Sequence, residues 1–589
     1  MRSLFILSAL LPFASALWPI PVNYTSGSTV LWIAPDVQIN YSASNFTASN
    51  SVRTNSVTRR NYVRRDNGTT SAGPLVQNAV RRALNTIFTE SYVPWKFHPR
   101  NSAFEPAPTA PKTYINCINI HTNASDPVGA TKPLAGAVDE SYTLSMTETG
   151  QVFISAVSSI GVLRALDTFT QLFYLHSQPG QGPYTPLAPV QIADSPKFAH
   201  RGLNMDVSRN YYAPSDIKRT IDAMAASKFN VLHLHVTDAQ SWPLDIPALP
   251  ELAAHGAYGP SLYYTAADLD DIQSYATARG IQPILEIDMP GHTASIAFSH
   301  PELIAAFNVQ PDWGTYCNEP PSGQFKLNSP DVYSFLSTLF ADLLPRLAPH
   351  SAYFHTGGDE LNQNVYALDP TILSNDSSII QPFLQSFVDT AHAHVRSQGL
   401  VPIVWEEMLL DWNLTLGADV LVQTWLSDAS VASTVAAGHK ALAGNYNFWY
   451  LDCGLGGWID HSTPAGSQAA FPYLDYCAPT HNWRDVYAYD PLGSVPANLT
   501  HLVLGGEIHI WSEQTDPVNL DTMVWPRAAA AAEVLWSGAK DPATGLNRSQ
   551  VLASPRLADL RERLVAAGVR AGDVQMPFCT QNGTQCASA

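Results

Sequence analysis

The segment His355-Thr-Gly-Gly-Asp359-Glu360 holds the densest potential chemistry in the chain. Its paired glycines let a backbone approach a ligand closely, and two carboxylic acids follow at once. Neighbouring carboxyls in a compact, tryptophan-lined site cannot both ionise freely, so one pKa of the pair should be raised. A raised carboxyl pKa is what a general acid needs near neutral or mildly acidic pH. The competing reading is a surface turn with two solvated acids. The position of the segment at a strand end, beside aromatic residues, disfavours it.

Other polar residues fall at the ends of short apolar runs in the same way. One run is Arg201-Gly-Leu-Asn-Met-Asp206, a second passes into His233-Leu-His-Val-Thr-Asp238, and a third closes Glu286-Ile-Asp-Met-Pro-Gly-His292. Trp405, Trp425, Tyr450 and Trp511-Ser-Glu513 close the later ones. His233 and His235 lie two apart on a strand and so face one way, as a metal-binding pair would. A metal-dependent, amidohydrolase-like barrel would need further strand-end histidines, for which only His292 and His355 are candidates. Histidines bonded to buried carboxylates fit the pattern better, and no metal is expected.

From about residue 196 the pattern that positions these residues repeats: an apolar strand ends in polar residues, a helix follows, and a glycine introduces the next strand. Strands are read at 202–207, 231–236, 282–287, 352–355, 400–405, 420–425, 440–445 and 502–510. Gly280, Gly399, Gly417 and Gly438 are placed to end the helices before several of them. The helix after Pro214 sets Ile217, Ile221, Met224 and Ala225 on one face. Thr265 with Asp268 makes a capping-box start for the next, and the last helix is read at 556–567. Eight such units predict an α/β fold, a (β/α)8 TIM barrel over 196–570, with its site at the C-terminal ends of the strands. Residues 17–195 read as a smaller α/β domain. It has strand character at 30–33 and 142–145, and helical spacing through Leu75, Ala79, Ala83 and Ile87. Residues 42–73 lack apolar periodicity and read as an exposed loop. Its Arg59-Arg60 and Arg64-Arg65 pairs fit either secretory processing or a solvated basic surface.

The first residues read as an export signal: Arg2, an apolar run over 4–13, and Ala14-Ser15-Ala16 as a cleavage site, leaving a mature chain from near Leu17. Asn-x-Ser/Thr sequons at Asn23, Asn40, Asn45, Asn67, Asn123, Asn375, Asn413, Asn498, Asn547 and Asn582 agree with a secreted glycoprotein, extracellular or else vacuolar or lysosomal. Six cysteines in that compartment read as disulfides, and without a Cys-x-x-Cys pair a structural zinc has little support. No later apolar run is long enough to span a bilayer. A net charge of −18, from 50 acidic and 32 basic side chains, disfavours nucleic acid and anionic membranes as partners.

Adjacent acids leave one strand end and cannot easily flank a sugar. Retaining glycosidases with a protein nucleophile hold two carboxylates about 5–5.5 Å apart, on opposite sides of the scissile bond. One acid of the pair must then serve another role, and the nucleophile must come from elsewhere. The motifs quoted above, followed by Trp449-Tyr-Leu-Asp452 and Gly505-Gly-Glu-Ile-His-Ile-Trp-Ser-Glu513, resemble those of the β-N-acetylhexosaminidases of glycoside hydrolase family 20. The resemblance is closest to the secreted fungal kind and covers nearly the whole mature chain.

That resemblance implies an exo-acting enzyme without a cofactor, releasing terminal N-acetylhexosamine from a carbohydrate substrate. Catalysis would be retaining and substrate-assisted, the 2-acetamido oxygen attacking the anomeric carbon. It implies Glu360 as acid and then base, Asp359 at the acetamido nitrogen, Tyr450 at its oxygen, and Trp405, Trp425 and Trp511 as pocket walls. Asp238 and His292 would relay behind Glu360. Arg201 would bind O3 and O4, Asp452 and Glu513 would take O4 and O6, and Trp483 would stack on the next sugar. It further implies disulfides Cys453–Cys477 and Cys579–Cys586, the second in a tail at 571–589, and a homodimer. Relatives pair a cysteine near 317 with one where this chain has Val365, so Cys317 is left to pair with Cys117 or to stay free. The remaining alternative, an inactive carbohydrate-binding homologue, is opposed by the intact Asp359, Glu360 and Tyr450.

Overall fold

A computed structural model of the chain describes residues 17–43, 50–52, 72–90 and 92–588. The leader at 1–16, both arginine pairs, Asn45 and Asn67 lie outside the described residues.

Eight parallel strands close a barrel. Numbered one to eight in chain order, they are His200–Asp206, Val231–Thr237, Gln282–Ile287, Tyr353–His355, Val401–Trp405, Leu421–Thr424, Lys440–Ala443 and Val503–Ile510. All coincide with the predicted runs to within two residues at either end. Near-continuous apolar strands suit this arrangement because a parallel barrel buries both faces of its sheet. Between strands one and two, the helix Pro214–Ala226 starts on its proline and buries Ile217, Ile221 and Met224; Ala223 completes that face, while Ala225 is only half-buried. Thr265 and Asp268 form the capping box. Gly280, Gly399 and Gly438 take left-handed φ values of 69°, 73° and 88° where helices end.

Two details differ from the sequence reading. Gly417 ends no helix; the space of its missing side chain is taken by the Arg396–Asp419 pair, bonded at 2.8 and 2.9 Å. The helix that completes the barrel is Arg527–Ser537, packed on strands eight and one, rather than the one read at 556–567. Its alanine run 528–532 is buried all round, so no one-sided period marks it. The later helix, Gln550–Ala566, lies outside the barrel wall. There Arg556 grips Glu533 at 2.6 and 2.7 Å, and Arg563 donates to the carbonyls of Gln171 and Phe173.

The preceding region is a seven-stranded mixed sheet running from Asn23–Ala43 to Pro183–Asp194. The helices Ala72–Thr89 and Ser159–Thr170 pack on it, the first burying Leu75, Ala79, Ala83 and Ile87. Disulfides join Cys453 to Cys477 and Cys579 to Cys586, and Cys117 and Cys317 are separate, half-buried thiols. Among the described residues no helix is long and apolar enough to cross a membrane.

Candidate active site

The turn after strand four sets the geometry. Gly357 and Gly358 have φ values of 67° and 111°. A Cβ on Gly357 would overlap the Asp288 carboxylate, and one on Gly358 would stand 2.6 Å from Met408 Cγ. The two glycines therefore admit neighbouring protein groups, not the ligand that their sequence suggested. Asp288 Oδ1 accepts the Gly358 N–H at 2.7 Å and pins the turn. Glu360 and His292 face each other from left-handed backbone, φ 52° and 51°, a strained conformation for residues with a Cβ. His292 Nε2 lies 3.8 Å from Asp359 Oδ2 and 3.5 Å from Glu360 Oε2, while its Nδ1 bonds Asp238 Oδ1 at 3.0 Å.

Arg201 does not reach this mouth. It stands at the opposite end of strand one, roughly 16 Å below Asp206 at a strand rise of about 3.3 Å per residue. Its buried guanidinium donates to Glu140 at 2.7 Å and to the carbonyls of Lys228 and Phe198 at 2.9 Å. The arginine at the mouth is Arg209, just past strand one. It sits 3.0 Å from Asp238 Oδ2 and 3.5 Å from Asp206 Oδ2, pairs with Glu319, and lies 5.2 Å over the Trp511 ring. It lies three residues beyond the end of the Arg201–Asp206 motif.

Trp483 is likewise displaced. It opens the helix Trp483–Ala488, is 4% exposed, and packs edge-on against Tyr487. The ring presented at the mouth is Tyr476, 64% exposed beside the Cys453–Cys477 bridge and 5.7 Å from Tyr446. The remaining aromatic residues converge as the strand ends require. Trp425 stacks on Tyr450 at 6.1 Å and 12°, and Trp511 stands 6.1 Å from both Tyr450 and Trp405. Trp405 and Trp425 anchor their indole N–H groups on Glu286 and Glu407, at 2.7 and 2.9 Å. Asp452 accepts the Trp511 backbone N–H at 3.3 Å, and Glu513 lies in the field of Arg209, Glu319 and Asp452.

Residues 198–539, the barrel and its last helix, match the glycosyl hydrolase family 20 catalytic domain, and residues 17–172 match a beta-acetyl hexosaminidase-like domain. The chain belongs to glycosyl hydrolase family 20. It is 44% identical to a beta-hexosaminidase of Arthroderma benhamiae, over 97% of each chain. It is 30% identical to a chitooligosaccharidolytic beta-N-acetylglucosaminidase of Ostrinia furnacalis, over 84% of this chain and 82% of that one. A chitobiase structure from Flavobacterium johnsoniae superposes with a TM-score of 0.68 and 25% identity, covering 94% of this chain and 73% of the other. The protein is thus a glycoside hydrolase.

Within this family 20 site the charges are unevenly balanced. Burial raises the Asp359 carboxyl pKa against the opposing pull of His292. Burial also works to raise Glu360, but hydrogen bonds from His292 and Asn318 outweigh it and leave its pKa lowered. The expected split is therefore present, with the raised value on Asp359. Asp288 is pushed well above the carboxylate range by burial and by Asp359, and Glu407 likewise. Burial lifts Asp452 to about 7. For His292 burial favours the neutral ring, yet Asp238, Asp359 and Asp288 outweigh it and keep the ring protonated. Arg209 and His292 in turn overcome burial and hold Asp238 well below its usual range.

Besides Arg209 and Tyr476, the sequence reading missed Asp288, Glu319 and Glu407. Asp288 was quoted inside the strand-three motif, where its inward position two residues past Glu286 was the available signal. Glu407 lies two residues past Trp405, and Glu319 sits in a long loop with no periodicity to place it.

Proposed function

We propose that this site removes terminal, non-reducing N-acetylhexosamine by substrate-assisted, retaining catalysis. The observation that carries the reading is the divergence of two adjacent acids. Asp359 turns towards Asp288 and into the field of Glu407 and Tyr450, whereas Glu360 turns towards Asn318 and Arg209, with His292 between them. One acid can then serve the acetamido group while the other serves the glycosidic oxygen. In the first step the acetamido oxygen bonds to the anomeric carbon, the glycosidic bond breaks, and Glu360 gives its proton to the leaving oxygen. Asp359 offsets the charge on the acetamido nitrogen, and Tyr450 donates to the acetamido oxygen. Water then opens the oxazolinium and returns a proton to Glu360. The Glu360 side chain is 26% exposed, so a bound sugar strips its remaining water and raises its pKa towards that of a working acid.

Trp405, Trp425 and Trp511 wall the acetamido pocket. Arg209, Asp452 and Glu513 take the sugar hydroxyls and close the non-reducing end, which makes the action exo. Tyr476, the ring exposed at the mouth, offers a face to the acceptor sugar. The match to a chitooligosaccharidolytic relative supports chitooligosaccharides as substrates. Export and glycosylation are supported by the sequons: Asn23, Asn40, Asn123, Asn375, Asn413, Asn498 and Asn547 are all exposed.

Aryl glycosides test the nucleophile. The N-acetylglucosaminide should turn over, the glucoside lacking the acetamido group should not, and the trifluoroacetamido analogue, whose oxygen is a poorer nucleophile, should be sharply slower. A glycosyl group trapped covalently on any carboxylate would overturn the mechanism.

A further inference from the structure

The barrel interior carries charge that the reaction does not use. Its lower layer is apolar: Val231, Ile284, Tyr353, Ile403 and Leu421 pack together. The next inward positions on the same strands are His233, Glu286, His355, Trp405 and Gln423, all buried. Barrel interiors are ordinarily filled by bulky aliphatic side chains. Replacing a buried ion pair by apolar groups is often neutral or stabilising, so packing alone does not call for this layer.

These side chains join into one line. His200 Nε2 bonds Glu507 Oε1 at 2.7 Å, and Glu507 Oε2 meets His233 Nδ1 at 2.9 Å. His233 Nε2 meets Glu286 Oε2 at 3.1 Å, and the same oxygen meets His235 Nδ1 at 2.7 Å. His235 Nε2 bonds Asp238 Oδ2 at 2.8 Å, Asp238 Oδ1 meets His292 Nδ1 at 3.0 Å, and His292 Nε2 ends 3.5 Å from Glu360. Ionised carboxylates only accept, so a histidine placed between two of them must donate from both nitrogens and be an imidazolium. His235 is so placed, bonded from both nitrogens, whereas His233 Nε2 faces Glu286 at 3.1 Å without completing a hydrogen bond and His292 Nε2 faces Glu360 at 3.5 Å. His355 and His509 lie beside the line, and burial lowers the pKa of both.

We propose that Glu286 and Glu507 are positioning residues of this line, holding His235, Asp238 and His292 in the one orientation and charge state that serves Glu360. Neither touches the sugar in the proposed reaction; Glu507 acts through the histidine next to it, and Glu286 acts through its histidines and also holds the Trp405 indole at 2.7 Å. The groups facing His292 are Asp238, Asp288, Asp359, Glu360, Glu319 and Cys317, with Arg209 acting through Asp238. Of these, Asp238 is the one hydrogen-bonded both to His292 and to the interior line, while Asp288 and Asp359 feel the Glu286 charge through space. A change at Glu286 should therefore be felt at Glu360 through Asp238, and a change at Glu507 more weakly, from one histidine further away.

The inference rests on Glu360 being the acid, so the parent chain is assayed first. If it fails to hydrolyse an aryl N-acetylglucosaminide, the functional reading falls. With an active parent, Glu507→Gln tests the line away from the pocket wall, and Glu286→Gln tests it with an amide oxygen left to accept the Trp405 indole, by kcat and KM across the pH range together with thermal midpoints. Glu286→Gln should lower kcat about tenfold, with KM within about twofold, and move a limb of the kcat–pH profile by about half a unit or more. Glu507→Gln should do the same to a smaller degree. Profiles that superpose on the parent, with activity lost only in proportion to folded protein, would overturn the proposal. If neither variant folds, 15N-histidine NMR of the parent decides. Imidazolium nitrogens at His235 near neutral pH support the line, and a neutral ring there overturns it.

Discussion

The two ends of the barrel treat charge in opposite ways. At the floor, where strand one begins, Glu140 accepts from Arg164 at 2.8 Å and from Arg201 at 2.7 Å. Those two guanidinium groups overcome burial and hold its pKa at about 2. Lys228 meets Asp194 at 2.9 Å there, and the Trp536 indole donates to the same carboxylate. At the mouth, Asp288 and Asp359 face His292, Glu513 faces Arg209, Glu407 lies beside Asp359 and Asp452 beside Glu513, and all five carboxyls are raised. The floor is neutralised by partners fixed in the fold, whereas the mouth is neutralised partly by protons. Fixed ion pairs tie the N-terminal sheet to the barrel; a shortage of cations leaves carboxyls able to give and take protons.

Glu360→Gln should have the largest effect, breaking the mouth without touching the floor. Loss of the acid should cost about 10²–10⁴ in kcat while the melting temperature holds. Substrates with activated leaving groups should suffer less in single-turnover measurements. Equal losses for good and poor leaving groups would remove Glu360 from that role.

The two arginines give a sharper contrast. Arg209→Met should lower kcat/KM by about 10–100-fold per folded molecule, the scale of lost charge-assisted hydrogen bonds, and should also cost stability because Asp238 and Glu319 lose a partner. Arg201→Met strands Glu140 with one partner fewer. It should cost about 3–5 kcal/mol of stability while leaving activity per folded molecule near the parent value. Urea unfolding and active-site-normalised rates on both variants measure the difference; a loss of catalysis confined to the Arg201 variant would reverse the assignment.

The smallest effect is on stability, at Glu406, buried beneath Trp425. Its carboxylate accepts from the Trp425 backbone N–H at 2.9 Å and from Ser430 Oγ at 2.8 Å, but burial dominates and lifts its pKa to about 7. The folded value exceeds the unfolded one, so folding favours the protonated form. The stability this provides is complete below the unfolded pKa and is lost as pH rises through about 7. Glu406→Gln should therefore gain on the parent by about 1–2 kcal/mol between mildly acidic and mildly alkaline pH. Thermal midpoints that differ by a constant amount across that range would contradict the assignment.

Periodicity and punctuation in the sequence determined which residues form the barrel strands and where helices stop at Gly280, Gly399 and Gly438. These are local properties: an apolar run needs burial, and a left-handed residue favours glycine. The His-Thr-Gly-Gly-Asp-Glu motif likewise marked the two neighbouring carboxyls at the end of strand four, because adjacency in the chain fixes adjacency in space. Tertiary structure alone decided which of two nearby arginines faces the mouth, since seven residues of strand separate the barrel's floor from its rim. It also decided that Tyr476 rather than Trp483 is exposed there, because the fold of the disulfide-closed loop determines exposure. Finally, it placed the raised pKa on Asp359, because burial sets that shift and only the fold decides burial; the neighbours that oppose it, Asp288 and His292, arrive from beyond strand three, some seventy residues away in the chain.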